Sequence, residues 1–219
     1  MKKMKKSIIS ILMAGTLLTA CKKETRDVSK VVNVSYPVIT LNGAPIISQS
    51  VGIGSYVDAG ATGTDDVTGL SSSLTPVSNN VDLTSPGFYG VKYTMKNSNG
   101  YITSATRLIL VTPVDPAVDL SGTYARTSNG KTVTVTKKGT GLYTTDNVGG
   151  VAGNLLYVFD VYFGQTSNST IEVPSQPNHL GGDVYCNNTT LSISPTDTSF
   201  SWIVRGSGFG TSVRTFSHQ

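Results

Sequence analysis

Between Val31 and Thr112 no ten-residue stretch carries apolar residues at helical spacing. Short runs rich in β-branched and aromatic residues occur instead, cut by Gly, Pro, Asn and Asp at the spacing of a β-sandwich. Val38-Ile39-Thr40-Leu41 runs into Asn42-Gly43, a dipeptide suited to positive φ. Phe88 to Met95 places Tyr89, Val91, Tyr93 and Met95 on one face, which is predicted to be buried. After Asn97-Ser98-Asn99-Gly100, residues 101–111 supply the return strand of a hairpin. Pro113 and Pro116 then end the unit, because neither can donate to a ladder.

The second half has the same character. Lys131 to Thr136 alternates strictly, and Gly139-Thr140-Gly141 turns it into Leu142-Tyr143-Thr144. Leu155 to Phe163 is the most apolar segment and is predicted to be a central strand covered on both faces, so that Asp160 within it needs a partner or access to water. Segments 171–174, 183–186, 190–193, 200–204 and 212–216 add further short strands. About eight strands in about a hundred residues suit a small antiparallel barrel or sandwich. The fold class is therefore all-β.

The N-terminus adds a location. Lys2, Lys3, Lys5 and Lys6 precede the apolar run Ile8 to Leu18, which is followed by Thr19, Ala20 and Cys21. This is the layout of a secretory leader, with an apolar part shorter than the roughly 18 to 20 residues that span a bilayer. Leu18-Thr19-Ala20-Cys21 resembles the bacterial lipobox, which implies cleavage before Cys21 and acylation of its thiol, leaving the protein attached to the membrane without crossing it. Once the leader's four lysines are gone, 17 basic against 13 acidic residues becomes 13 against 13. No basic excess then remains to favour nucleic acid. Cys186 is left as a single thiol, read as a small buried apolar residue.

Pro37, Ile39, Leu41-Asn42-Gly43, the segment Gly54 to Ala61, Asp65, the segment Gly87 to Tyr93, Asn97, Gly100 and Arg107 together resemble the immunoglobulin-like domain of bacterial surface proteins. That resemblance implies a β-sandwich that acts as a spacer without shared catalytic residues. Ser121-Gly122-Thr123-Tyr124 is similar to the first strand of lipocalin-like barrels in bacterial lipoproteins. The combination of lipobox, one immunoglobulin-like domain and a C-terminal β domain resembles Bacteroidetes lipoproteins associated with polysaccharide uptake. It implies an outer-membrane, cell-surface location and a neighbourhood of uptake proteins. The expected organisation is a signal peptide at 1–20, a flexible tether at 21–30, the immunoglobulin-like domain at 31–112, a linker at 113–116 and the C-terminal β domain at 117–219.

Catalytic chemistry finds little support. Asp160, Glu172, Asp183 and Asp197 are the carboxylates of the second half, each beside a turn or strand end, and no nucleophile elbow, zinc-protease motif or phosphate loop is present. With two histidines and one free thiol, no metal site or cofactor is expected. Asp58, Asp65 and Asp66 around a loop suit calcium less well than the capping of backbone amides. The aromatic residues are the stronger lead. Tyr143, Tyr162, Tyr185 and Trp202 are the candidate ligand-binding residues, set against the ordinary role of aromatics in β-domain cores. The expectation is a non-enzymatic surface lipoprotein that binds a glycan or serves a polysaccharide uptake system. The alternatives are a structural, adhesive or protein-partner module, and a lipocalin-like carrier, which needs a hollow barrel that Tyr157, Phe159 and Phe163 would fill if they pointed inward.

Overall fold

A computed structural model describes residues 34–194, 196–206 and 208–219. The leader, Cys21, the tether and the first residues assigned to the sandwich lie outside the described residues.

The first half forms two sheets. Strands β1 (Val38–Leu41), β3 (Ala61–Thr64) and β4 (Ser71–Leu74) make one, in the order β1-β3-β4. Strands β2 (Ile46–Ser50), β5 (Ser78–Asn79), β6 (Gly87–Lys96) and β7 (Ile102–Thr112) make the other, in the order β2-β7-β6-β5, with β2 parallel to β7. The expected face of β6 is the buried one: Val91 and Tyr93 are inaccessible and Tyr89 packs against the same core, with Ile109 and Val111 of β7. The β6–β7 hairpin closes where Asn97 N–H donates to Tyr101 O at 2.9 Å.

One buried ionic cluster ties the loops of this sandwich together. Arg107 donates from Nη1 to both carboxylate oxygens of Asp58 at 2.6 Å, from Nη2 to Asn42 O at 2.6 Å and Gly60 O at 3.2 Å, and from Nε to Ala44 O at 3.1 Å. Tyr56 and Tyr93 hydroxyls and the Gly60 amide also donate to Asp58. Burial works to raise the Asp58 pKa, but Arg107 and the two tyrosines override it and hold the carboxyl well below the usual range.

The second half is a closed eight-stranded barrel of consecutive antiparallel strands: β8 (Gly122–Arg126), β9 (Thr132–Gly139), β10 (Leu142–Thr145), β11 (Val161–Gln165), β12 (Ile171–Pro177), β13 (Asp183–Ile193), β14 (Thr198–Arg205) and β15 (Arg214–His218). Pairing of β15 with β8 closes it and leaves no free edge. Its interior is occupied by Tyr124, Tyr143, Phe163, Phe200, Trp202 and Phe216, with the Phe200 centroid 4.7 Å from that of Trp202 and 5.1 Å from that of Phe216.

Three sequence expectations are corrected. Leu155 to Phe163 is not one central strand: only Val161 onward joins the sheet, while Leu155–Tyr157 forms a single 3-10 turn with Leu155 82% exposed. Asn154 caps that turn by accepting from Leu156 N at 3.1 Å, a local hydrogen bond that apolar content alone cannot reveal. Asp160 is exposed, which gives it the access to water that it needs. Segments 183–186 and 190–193 belong to the single strand β13, whose register shifts between Asn187 and Thr190, with Asn188 at φ 52°. Finally, Tyr157 and Phe159 pack on Phe209 at the edge of the core, and of the three rings weighed as fillers only Phe163 is fully buried.

Strand β7 serves both halves. Ile109 and Val111 face the sandwich core, whereas Leu110 faces the barrel wall so closely that a Cβ on Gly164 would come within 2.6 Å of it. Thr112 Oγ1 donates to Gln165 O at 2.7 Å, and Lys137 Nζ donates to Pro116 O at 2.9 Å and Val118 O at 2.8 Å. Val114, within the expected linker, is buried. Residues 36–219 accordingly form one compact unit.

Candidate functional site

The outer wall of the barrel and the adjacent face of β2 and β7 enclose a cleft of about 700 Å³. Strand alternation explains its lining. Val161, Phe163 and Gln165 of β11 point inward, so Tyr162 points out into the cleft. Strands β11 and β12 pair only at Gly164 with Glu172 and Gln165 with Ile171, and then part. The Gln176 side chain bridges the gap: its Oε1 accepts from Tyr162 N at 2.8 Å and its Nε2 donates to Tyr162 O at 2.8 Å. This clamp reproduces a ladder pair with a side chain, and it fixes the backbone beneath the Tyr162 ring. Gln176 reads from the sequence as a loop residue offering polar contacts, but it is a buried part of β12 whose amide is already committed.

Two carboxylates flank Tyr162. Asp160 precedes β11 and Asp183 opens β13, where Ser175 Oγ donates to Asp183 Oδ2 at 3.0 Å. Ser104 and Thr106 of β7 bring hydroxyl groups from the opposite wall, and Pro45, Ile46 and Leu108 bring apolar surface. Among the described residues no Lys or Arg lines the cleft. Tyr185, 44% exposed, lies two residues beyond Asp183 on the same outward face of β13.

The four candidate aromatics therefore divide into two pairs. Tyr162 and Tyr185 are on the outer wall. Trp202 and Tyr143 are corrected: both are inaccessible in the barrel core and present no face to a ligand. Trp202 Nε1 donates to Val148 O at 2.8 Å, and Tyr143 Oη meets Val118 O and Gln165 Oε1 at 3.2 Å, with burial pushing its pKa up to about 12. The interior of a β-barrel and its exterior take alternate residues of the same strand, and residue type alone does not distinguish them.

The remaining carboxylates are scattered. Glu172 sits against the sandwich, where burial raises its pKa and the Phe88 amide partly offsets this. Asp197 lines a smaller polar depression with Asp119 and His218, at the barrel end opposite Arg126. Asp65 accepts from Val67 N, Thr68 N and Ser98 N, which is the capping role rather than a cation site. Among the described residues no group of three or more His, Cys, Asp or Glu is placed to hold a metal. Cys186 is buried, and burial pushes its thiol up. No described helix is long and apolar enough to cross a membrane.

Residues 39–111 match the family model described as bacterial surface protein, Ig-like domain. This agrees with the two sheets seen over that span. No curated protein matches the sequence. Among solved structures, the lipoprotein BT2262 from Bacteroides thetaiotaomicron is similar over 84% of this chain and 100% of its own, at 19% identity and a TM-score of 0.38.

Proposed function

We propose that this protein is a non-enzymatic accessory lipoprotein of the cell surface that binds a neutral glycan in the cleft between its sandwich and its barrel wall. The observation that carries the reading is the combination in one cleft of an outward tyrosine clamped from behind, Tyr162, with the carboxylates of Asp160 and Asp183. An aromatic face takes the apolar side of a sugar ring, and carboxylates accept from pairs of hydroxyls. With two acidic and no basic residues in the lining, uncharged polyols are favoured over acidic saccharides. Acylation of Cys21 would hold the chain at the outer membrane, the sandwich would act as spacer, and an uptake complex would supply the partners.

The test is a glycan array probed with the chain from Lys22 onward, followed by titration calorimetry on the hits. Selective neutral binding is expected, weakened by about tenfold in Tyr162→Ala, the equivalent of ~1.4 kcal/mol. Silence across the array, or binding indifferent to Tyr162, would overturn the reading. A protein-partner role is the second reading, favoured by Leu155, Leu156 and Leu180, which stand exposed on loops at one end of the barrel. The lipocalin-like alternative fares worse, because rings occupy the interior that carriage requires.

A further inference from the structure

Arg214 on β15 points into the barrel, directly opposite Trp202 in the β14–β15 register, and is 6% exposed. Its Nη1 donates to Ser212 O at 3.1 Å and its Nη2 to Phe209 O at 2.5 Å, and its guanidinium carbon lies 5.6 Å from the Phe209 ring centroid. Its buried Nε has no partner among the described residues. Arg126 on β8 is opposite Phe216, two residues from Arg214 along β15, which makes the two arginines diagonal neighbours on the inward face. Arg126 Nη1 donates to Gly149 O at 3.2 Å and Gly150 O at 3.4 Å, and its Nε is also buried without a partner.

Every acceptor in this arrangement is a neutral carbonyl. No aspartate or glutamate occurs among the buried polar residues described. Two like charges in a poorly polarisable interior are costly, and an uncompensated buried cation normally acquires a counter-charge. Burial and the charge of Arg126 both push Arg214 below its ordinary pKa. Among the described residues the neighbouring loop supplies no anionic group to either arginine. Asn147 is engaged with both the N–H and the carbonyl of Val151 at 3.0 Å, and Gly150, at φ 53°, sits so close that a Cβ there would be 2.8 Å from Arg126 Cδ.

We propose that Arg126 and Arg214 form an oxyanion-binding site at the barrel end that bears the 146–160 and 208–213 loops. A carboxylate, sulfate or phosphate group matches the fork of guanidinium donors and satisfies the unpaired N–H groups. Arg126 is only partly buried, so its side chain is the member of the pair that meets solvent. Neither arginine lines the outer-wall cleft, and the site is independent of the glycan reading.

Trp202 is the only tryptophan and neighbours Arg214, so its indole N–H resonance reports the site in the full chain from Lys22 onward. Sodium sulfate, sodium phosphate and sodium acetate are titrated separately against sodium chloride at constant ionic strength. The expected result is a saturable shift with at least one oxyanion and none with chloride, the responding salt distinguishing planar from tetrahedral ligands. Arg126→Gln, at a partly exposed position, should keep the dispersed spectrum while weakening the apparent affinity about tenfold. Absence of saturation with all three oxyanions, or unchanged saturation in Arg126→Gln, would overturn the proposal. Should Arg126→Gln lose its fold, Arg126→Lys provides the same comparison, because it keeps the charge but removes the fork.

Discussion

The sandwich and the barrel each bury an arginine, but they surround it differently. Arg107 has all three nitrogens engaged and a carboxylate against it, and through Asn42, Ala44, Asp58 and Gly60 it joins loops that are distant in sequence. Arg214 has carbonyl oxygens, an aromatic ring and a second arginine, with no acid. A compensated buried charge is architecture, since its partners meet only when the domain is folded. An uncompensated one is a stability cost that a core of Trp202 and its neighbouring rings can carry, and it leaves binding capacity unused.

The comparison is most exposed to failure at Asp58. Replacing Asp58 with Ala strands Arg107 in the sandwich and should cost ~3–5 kcal/mol. Urea unfolding followed by far-UV circular dichroism measures this, and an unchanged midpoint would remove the architectural role. Trp202 fluorescence recorded in parallel shows whether the barrel unfolds with the sandwich, which contains no tryptophan.

Acid gives a smaller, graded effect. The Asp58 pKa is depressed in the folded state, so its contribution is fully present above the unfolded value of about 4 and is lost as pH falls toward the folded value. Melting temperatures should decline between about pH 4 and pH 2, and Asp58→Asn should flatten that part of the profile. Arg214 adds no step there, because a guanidinium stays protonated.

The smallest effect sharpens the contrast. Arg214→Met removes a charge with no counter-ion and should change stability by no more than about 1 kcal/mol, whereas Arg107→Met strands Asp58 and should approach the cost of Asp58→Ala. A loss above ~3 kcal/mol for Arg214→Met would make its carbonyl bonds structural anchors like those of Arg107.

Much of the strand pattern is legible in the residues, because alternation and turn chemistry act over a few positions. The face of β6, the hairpin to β7 and the turn after Lys137-Lys138 all follow from local sequence. The site was legible only in part. Tyr162 and Tyr185 could be set apart from the apolar face by alternation, but Trp202 and Tyr143 carry the same chemical signature and lie in the core. Gln176 reads only as a polar loop residue, since its clamp depends on two strands parting beside it. Apolar content at 155–163 implies a strand where an asparagine cap makes a turn, which leaves Asp160 exposed ahead of β11.

What the sequence determined by itself was the all-β class, the positions of most turns and the alternation within each strand, all set by backbone preference and near-neighbour chemistry. Tertiary structure decided which face became the interior in strands such as β11 that carry large side chains on both, and it brought Ser104 and Thr106 of β7 to the same cleft as Asp160, Tyr162 and Asp183. In such strands alternation defines two faces without saying which is buried, and that choice comes only when β15 closes on β8 and β7 packs against the wall.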